Sequence, residues 1–327
     1  MKTINWGIIG LGKIANKFAQ DIQKVENCRL YAVASRHDEK ANSFAKQYNA
    51  IKAYGDYESL AADPNIDAVY IATPHSSHKA YALLCLKHKK AVLCEKPLAM
   101  NIQEVEDMIA VAKINNVLLM EALWTYFLPH YQFVLKELKS GKFGAITKLE
   151  ADFGFLPKFD STSRVFDKSL GGGSLLDIGI YPIFAALSTL GKPIDVDAKA
   201  IFFDNGADGS CDIIFNYYNG VKAFLKSTLL EKTPTEAIFY CEKGVIKINS
   251  RFHAPTSVTV TIDGKVTTHN FECNTLGYNF EIQHFNDLLR NGKTESPLMS
   301  YDFSRNLTLI LDDVRHLIGL KYDLKTE

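Results

Sequence analysis

Residues 4–15, INWGIIGLGKIA, are the stretch that decides the fold. The apolar run Ile4–Ile9 predicts a strand, and a pattern of helical spacing follows the glycines. Gly10 permits a tight turn, Gly12 lets the backbone approach a phosphate, and Ala15 keeps helix and strand close. The alternative is a tight strand–helix turn without a ligand, but the motif stands at the first strand of an alternating chain, which favours a dinucleotide. The residues expected to contact its pyrophosphate at the helix N-terminus are Gly10, Gly12, Lys13 and Ile14.

Strand and helix patterns alternate over the first third of the chain. Four further apolar runs are separated by helical patterns: 30–34, 68–72, 91–94 and 117–120. Continuous apolar strands between helices predict a parallel sheet that is covered on both faces. Beyond residue 121 the strands lengthen, and Asn219-Gly220 and Asp263-Gly264 are hairpin turn signals. We therefore predict a doubly wound α/β domain at 1–122 and an α+β domain with an antiparallel sheet at 123–327.

The second strand ends in Ser35-Arg36, at the place where an NAD-preferring site carries an acidic side chain. A hydroxyl and a guanidinium suit a 2′-phosphate, because arginine pairs with phosphate through two parallel hydrogen bonds. NADP is therefore the expected cofactor. Two alternatives stay open: Arg36 is a solvated loop residue, or Asp38 serves NAD instead.

A polar segment follows the strand 68–72 at its carboxyl end, where doubly wound sheets place their ligands. We expect four of its residues to line the cofactor site: Thr73, Pro74, His75 and His78. The two histidines are also three residues apart, as some metal ligands are. They lack a third ligand of the right type nearby, so we predict no metal site.

Glu95-Lys96-Pro97 follows the strand 91–94 in the same way. A cation at this position can polarise a substrate oxygen or lower the pKa of a neighbouring group. We therefore expect Glu95 and Lys96 at the cofactor site. The alternative is a surface lysine in a turn.

The segment 171–181, GGGSLLDIGIY, begins a helix that is predicted over Ser174–Leu190. Asp177 and Tyr181 are four residues apart and share one helix face. A tyrosine beside a lysine ammonium can donate and accept a proton, because the cation eases ionisation of the phenol. The alternative is a capped helix in which Tyr181 only packs.

Composition narrows the class of protein. The chain has 327 residues with 37 basic and 37 acidic side chains, which argues against a general nucleic-acid binder and an anionic membrane partner. Its six cysteines are scattered without a C-x-x-C pair, which favours free thiols in a reducing compartment. We find neither a signal-peptide core nor about 18 consecutive apolar residues, so we expect a cytoplasmic protein without a membrane span.

Taken together, these motifs resemble the glucose–fructose oxidoreductase/inositol dehydrogenase family, often called Gfo/Idh/MocA. The matching segments, from residue 6 to about 286, are WGIIGLGKIA, AVASR, ATPHSSH, VLCEKPLAMN, EALWTYFLP, GGGSLLDIGIYP and GYNFEIQHF. ALW…FLP and DIGIYP are most similar to the dimeric dihydrodiol dehydrogenase subgroup. The resemblance implies an N-terminal Rossmann domain and a C-terminal domain with a large, mostly antiparallel, open-faced sheet.

Residue by residue, Lys96 corresponds to the family's EKP lysine, near the nicotinamide and the substrate oxygen. Asp177 corresponds to the aspartate that binds substrate. Tyr181 stands where many members have a catalytic histidine, whereas the dihydrodiol subgroup has tyrosine, so the resemblance implies a tyrosine acid/base. Aromatic residues that line the substrate pocket in the subgroup correspond to Trp124, Phe153 and Tyr278.

The resemblance implies an NADP-preferring oxidoreductase. It would transfer a hydride between the nicotinamide and a secondary alcohol or ketone of a sugar-like, cyclitol or cyclic diol substrate. Tyr181 would exchange the proton, while Lys96 would hold the oxygen and tune Tyr181. Two other functions stay open, a cofactor-binding regulatory protein and an NAD-assisted lyase or hydrolase. Lys158 and Arg164 would meet a charged group of the substrate or face water.

A homodimer through the outer face of the C-terminal sheet is also expected. The resemblance implies it, because this sheet face usually forms the dimer in the family. The segments 200–203 and 211–215 carry apolar residues at successive positions, so both faces of their strands would be apolar. The alternative is a second helical layer from the same chain.

Overall fold

The computed structural model describes residues 2–160 and 163–322. By its internal contacts the chain forms two compact units. The first contains the residues up to Phe127 together with Cys273–Arg305, and the second contains Leu128–Glu272 and the residues from Asn306 onward. The domain boundary after residue 122 stays a prediction.

The first unit is built on a parallel sheet. Its strands are β1 (Ile4–Ile9), β2 (Cys28–Ala34), β3 (Lys52–Tyr54), β4 (Ala68–Ile71), β5 (Ala91–Glu95) and β6 (Leu119–Ala122). The helices between them are α1 (Lys13–Ile22), α2 (Asp38–Tyr48), α3 (Tyr57–Ala62), α4 (His78–Lys87) and α5 (Ile102–Asn115). The strand order β3-β2-β1-β4-β5-β6, with every neighbouring pair parallel, confirms the predicted doubly wound Rossmann fold. The order reverses between β1 and β4, which is where such sheets bind ligands.

Two short elements of this unit were not expected from the sequence. Strand β3 has three half-buried residues, too few to show an alternating pattern. Helix α3 is six residues long, and it begins where the side chain of Asp56 accepts a hydrogen bond from Ser59 N at 2.7 Å. Such a cap satisfies one of the N–H groups that a helix start leaves unpaired.

Helix α8 (Tyr278–Arg290) belongs to the first unit although it follows the second sheet in the chain. The indole of Trp6, fully buried on β1, donates a hydrogen bond to Asn286 Oδ1 at 3.0 Å. The ring of Phe285 lies 5.0 Å from the same indole. These contacts bury the apolar face of α8 over the parallel sheet.

The second unit is built on a larger sheet. Its strands are β7 (Ile146–Gly154), β8 (Asp195–Phe202), β9 (Asp208–Asn216), β10 (Lys222–Thr228), β11 (Ala237–Cys241), β12 (Gly244–Ile248), β13 (Val258–Ile262) and β14 (Lys265–His269). Its helices are α6 (Pro129–Lys139), α7 (Ile180–Leu190) and the later part of α9 (Tyr301–Leu317). The order is β14-β13-β12-β11-β7-β10-β9-β8, and only the β7–β10 pair is parallel among these strands. The mostly antiparallel sheet is confirmed.

The two faces of this sheet differ in burial. On β9 the side chains of Cys211, Ile213 and Phe215 are buried, whereas Asp212 and Ile214 are half-buried on the opposite face. The second face is therefore mixed in character. The sequence predicts an apolar face, but charged and apolar side chains of neighbouring strands both point to it. These side chains are Asp197, Lys199, Ile201, Asp212, Ile214, Phe224 and Lys226.

The predicted single helix over Ser174–Leu190 is divided in the structure. Residues Leu175–Gly179 form one turn of π-helix, and α7 follows directly. The stretch Lys168–Leu190 is long and apolar enough to cross a membrane by composition, but 94% of its most apolar window is buried inside the chain. It is thus placed as the core helix of a soluble protein is placed.

Candidate active site

The turn between β1 and α1 has the shape that a dinucleotide phosphate requires. Gly10 has φ +87°, and a Cβ atom there would lie 2.8 Å from the backbone of Ala72, so only glycine fits. Apart from its neighbours in the chain and the backbone of its own helix, no described atom comes within 4 Å of the place where a Cβ on Gly12 would stand. The first turn of α1 carries no acidic side chain. Open space above unpaired N–H groups fits a pyrophosphate.

The segment after β4 contributes a second feature that fits a ligand. The hydroxyl Oγ1 of Thr73 is buried and has no hydrogen-bond partner among the described residues. Its side-chain methyl group would lie 2.9 Å from a Cβ on Gly10, so this hydroxyl stands beside the phosphate turn. A buried hydroxyl without a partner is costly in a folded chain. A bound cofactor would supply the missing partner.

The two predicted histidines of this segment are buried. His78 lies with Nε2 3.0 Å from the carbonyl of Thr73 and Nδ1 2.8 Å from the carbonyl of Pro97. The ring of His75 makes an edge contact with that of His78, with centroids 5.6 Å apart. His78 thereby ties the end of β4 to the turn after β5. Among residues 2–160 and 163–322 no group of three or more side chains is arranged to bind a metal ion.

The residues expected to choose the cofactor lie at the end of β2. Ser35 is buried, and its Oγ accepts a hydrogen bond from His37 N at 3.3 Å. Arg36 is exposed. Burial raises the pKa of Tyr57, and the guanidinium of Arg36 opposes that shift by its charge and a hydrogen bond. Arg36 therefore lies beside the first residue of α3, with its charge available to an anion.

Asp38, the residue that kept NAD open, is the first residue of α2. A Cβ on Gly55 would lie 1.9 Å from its Oδ1 atom, so the carboxylate packs directly on that glycine. A carboxylate in the first turn of a helix also interacts favourably with the helix dipole. Asp38 therefore packs on Gly55 from the first turn of α2.

The Glu95-Lys96-Pro97 turn follows β5 as expected. Glu95 is buried, and its carboxylate accepts a hydrogen bond from the phenol of Tyr70. The peptide between Lys96 and Pro97 is cis. The backbone N–H of Leu98 donates to Glu121 Oε1 at 2.9 Å. The turn that presents Lys96 is therefore held by hydrogen bonds to two buried carboxyl groups, those of Glu95 and Glu121.

Glu121, at the end of β6, was not expected at the site. It is 1% exposed, and its second oxygen accepts a hydrogen bond from Ser304 Oγ at 2.7 Å. Burial raises the pKa of Glu121 to about 7, against the opposing hydrogen bonds and the positive charge of Lys96. The sequence gives no signal for it, because an acidic residue in an otherwise apolar strand reads only as a strand end.

In the second unit, Asp177 lies in the middle of the π turn. Its Oδ1 is 3.0 Å from Nη2 of Arg164, and the side chains are 10% and 40% exposed. Ile178 packs in one buried cluster with Phe166, which holds the loop of Arg164 against the turn. The neighbouring Lys158 is exposed, and residues 161 and 162 of this loop lie outside the described residues.

Tyr181, in the first turn of α7, is 6% exposed and lies among aromatic rings. Its centroid is 5.7 Å from that of Phe153 on β7 and 5.1 Å from that of His253. The rings of Phe153 and His253 stack at 4.1 Å. Sequence reasoning missed His253, which stands in an irregular loop without any periodic pattern.

The other two predicted aromatic residues form a pair of their own in the first unit. The rings of Trp124 and Tyr278 are stacked, with centroids 4.5 Å apart and an interplanar angle of 14°. Both side chains are almost fully buried. The structure thus groups Trp124 with Tyr278, and Phe153 with Tyr181. Their roles in substrate binding stay predictions.

Family models match both parts of the chain. Residues 4–123 match the oxidoreductase family with the NAD-binding Rossmann fold, and residues 131–247 match the GFO/IDH/MocA C-terminal domain. Among solved structures, KijD10, a 3-ketoreductase from Actinomadura kijaniata in complex with NADP and TDP-benzene, superposes with a TM-score of 0.87 at 26% identity. That superposition covers 97% of this chain and 98% of the other.

Two relatives align with nearly the whole chain. Trans-1,2-dihydrobenzene-1,2-diol dehydrogenase of Xenopus tropicalis is 38% identical, covering 97% of this chain and 98% of the relative. The scyllo-inositol 2-dehydrogenase (NADP(+)) IolU of Bacillus subtilis is 34% identical, covering 98% of each. Since both family domains match in order, the chain belongs to the Gfo/Idh/MocA family and is an NAD(P)-dependent oxidoreductase.

Proposed function

We propose that the protein interconverts a secondary alcohol and a ketone on an uncharged cyclic diol or polyol, of the sugar, cyclitol or dihydrodiol type, with NADP as its cofactor. The observation that carries this proposal is the pair of Arg164 and Asp177, whose Nη2 and Oδ1 atoms are 3.0 Å apart. Asp177 lies four residues before Tyr181. For the hydroxyl groups of a substrate, the Asp177 carboxylate is a hydrogen-bond acceptor and the Arg164 guanidinium a donor. The pair has no net charge, so it does not require a charged substrate.

Four side chains of the second unit have roles in this proposal. The Asp177 carboxylate accepts hydrogen bonds from substrate hydroxyls. The Tyr181 phenol gives a proton to the carbonyl oxygen in reduction and takes one from the hydroxyl in oxidation. Phe153 and His253, stacked beside it, exclude water from its ring. When bound, the nicotinamide supplies hydride exchange.

The first unit would hold the cofactor. Gly10, Gly12 and Thr73 fit the pyrophosphate region, and Arg36 is the charged partner for a 2′-phosphate. Lys96 would present a cation from the turn after β5. Two of the similar proteins name NADP in their own descriptions, the Bacillus subtilis inositol dehydrogenase and the KijD10 complex. Both support the choice of NADP over NAD.

The experiment that tests this function follows nicotinamide absorbance with NADP⁺ or NADPH. The panel contains cyclic diols, cyclitols, pentoses, hexoses and their ketones, together with phosphorylated and carboxylated analogues. We expect turnover of uncharged members only. Cofactor binding without turnover on any member would favour a regulatory protein, and product formation without net absorbance change would favour a lyase or hydrolase.

We also propose a cytoplasmic homodimer. All six cysteines are free thiols, which supports a reducing compartment. Ile201 and Phe224, 62% and 40% exposed on the outer face of the large sheet, support burial of that face by a second copy. Light scattering should give twice the chain mass of 36.6 kDa at micromolar concentration. A single chain mass would contradict the dimer.

A further inference from the structure

A fully buried carboxyl group stands at the start of the π turn. Asp208, the first residue of β9, is 0% exposed. Its Oδ2 accepts a hydrogen bond from the backbone N–H of Leu175 at 2.6 Å and another from Ser174 Oγ at 2.8 Å. Its Oδ1 has no hydrogen-bond partner among the described residues. A buried carboxyl group with an oxygen left unpaired is costly, which calls for a compensating role.

The glycine before the turn leaves the space that this carboxyl group occupies. Gly173 has φ +121°, and a Cβ there would lie 2.0 Å from Asp208 Oδ1. At the other end of the turn, a Cβ on Gly179 would lie 2.9 Å from Ser227 Oγ. The hydroxyls of Ser227 and Ser174 are 3.1 Å apart. Asp208, Ser174 and Ser227 therefore form one connected set of polar side chains that contacts the π turn at both ends.

These contacts hold the backbone segment that carries the residues of the proposed site. Leu175 N is one of the donors that a helix start leaves unpaired, and a carboxylate there also favours the helix dipole. Asp177 follows two residues later, and Tyr181 lies in the first turn of the regular helix α7 that comes directly after the π turn. Turns of π-helix are rare and occur often at functional sites, where they set side-chain directions that a regular helix would not give.

We propose that Asp208 is a positioning residue: its ionised carboxylate fixes the π turn, and through it the direction of Asp177, so that it sets the affinity of the site for its substrate. The inference rests on the proposed function, because Asp177 is the substrate-binding carboxylate there. Asp208 acts through the backbone of Leu175, whose N–H donates to its carboxylate.

The surroundings of Asp208 make its charge sensitive to pH. Burial raises the pKa of Asp208 to about 6, while the hydrogen bonds from Leu175 N and Ser174 oppose the shift. Two titratable groups interact with Asp208 through its charge: Cys211, on the same strand, and Tyr322, which donates to the Gly172 carbonyl at 3.1 Å. Arg315 and Asp177 in turn act on Tyr322 through their charges. As the pH falls through 6, Asp208 becomes neutral and holds Leu175 N more weakly.

The test compares Asp208→Asn with Asp212→Asn, the same change four residues along β9 on the outer face of the sheet. Asparagine keeps an oxygen for Leu175 N and loses the charge. We expect KM for the uncharged polyol to rise about tenfold in Asp208→Asn, the scale of one charge-assisted hydrogen bond made neutral, with a smaller change in kcat. The dissociation constant of NADP⁺ should not change. Asp212→Asn should match the wild type.

A pH series on the same three proteins supplies the second measurement. In the wild type and Asp212→Asn, KM should rise as the pH falls through 6, whereas in Asp208→Asn it should stay high and lack that inflection. If Asp208 only stabilises the fold, Asp208→Asn would lower the melting temperature and the active fraction, while KM and its pH profile would follow the wild type. That result would overturn the proposal.

Amide hydrogen exchange separates this proposal from the proposed function. In Asp208→Asn, the peptides covering residues 174–181 should exchange faster than in Asp212→Asn, with or without a substrate. If the wild type turns over no polyol, the proposed function fails, but the exchange result still decides whether Asp208 orders the turn. Unchanged exchange at 174–181 would refute the positioning role even in an active enzyme.

Discussion

The Nη2 atom of Arg164 lies 3.0 Å from Oδ1 of Asp177. In the sequence they were separate candidates: Arg164 would meet a charged group of the substrate or face water, and Asp177 corresponds to the family's substrate-binding aspartate. Their contact turns them into a neutral unit at the proposed site. Because the aspartate side chain is only 10% exposed, the pair is less screened by water than a surface ion pair. This neutrality supports the uncharged substrate that we propose.

The change Arg164→Met should raise KM for an uncharged diol about tenfold, the effect of losing one hydrogen bond to a charged group. The methionine keeps the aliphatic length, but Asp177 loses the cation that orients it. Steady-state kinetics on the diol give the measurement, with Lys158→Met on the same loop as the matched control. A loss restricted to phosphorylated analogues would instead make Arg164 a substrate-phosphate ligand.

The change Tyr181→Phe tests the proton role. It should lower kcat by about 10²–10⁴-fold, the range for losing general acid–base catalysis, while the affinity for NADPH stays nearly unchanged. The ring contacts with Phe153 and His253 remain in this variant. Tyr131→Phe, which removes another buried phenol of the same unit, is the control and should retain its turnover. A rate within about threefold of the wild type, well below that range, would show that Tyr181 only packs.

The change Arg36→Ala tests the choice of cofactor. It should weaken NADPH binding by about 1.5–3 kcal/mol, the scale of a charged hydrogen bond, and change NADH binding little. The reason is that the exposed guanidinium is the proposed charged partner of the 2′-phosphate, a group that NADH lacks. Calorimetric titration with both cofactors measures this, with Arg29→Ala on β2 as the control. Equal losses for the two cofactors would refute NADP selection by Arg36.

The change Glu121→Gln tests the buried carboxyl group under the Lys96 turn. Glutamine can accept from Leu98 N and donate to Ser304 Oγ, so it keeps both contacts. Burial raises the pKa of Glu121 from 4.5 to about 7, so its contribution to stability is full below pH 4.5 and is lost as the pH rises through 7. Glu121→Gln should therefore gain stability over the wild type at pH 8, on the order of 3 kcal/mol, and little at pH 4.5.

Urea unfolding of both proteins across this pH range measures the difference. Glu39→Gln, on the exposed surface of α2, is the control and should differ from the wild type by the same amount at every pH. A stability difference for Glu121→Gln that does not change between pH 4.5 and 8 would mean that the carboxyl group titrates normally in the folded protein.

Most of the fold was predictable because its signals are local. Apolar runs between helical patterns predicted five of the six parallel strands, and hairpin turns at Asn219-Gly220 and Asp263-Gly264 predicted the second sheet. The short β3 and α3 were missed because three and six residues carry too little pattern. The π turn at Leu175–Gly179 was predicted as ordinary helix, since apolar spacing does not distinguish the two.

The site residues were predictable only where a single short segment of the chain forms the structural feature by itself. Gly10 is such a case, because its positive φ and close approach to Ala72 are required by the strand–helix turn itself. The mixed outer face of the large sheet was not predictable from single strands. Each strand shows which residues alternate, but the neighbours that complete a face come from distant parts of the chain.

The sequence by itself determined the Rossmann sheet, the phosphate turn and the family, because strand, turn and helix signals act over a few neighbouring residues. Only the tertiary structure decided the contacts within the site. Arg164 meets Asp177 across 13 residues, and Asp208 meets Leu175 across 33. His253 comes beside Tyr181 from a distant loop. Such contacts depend on packing that buries each group, and no periodic pattern records which distant partner will satisfy a buried charge or ring.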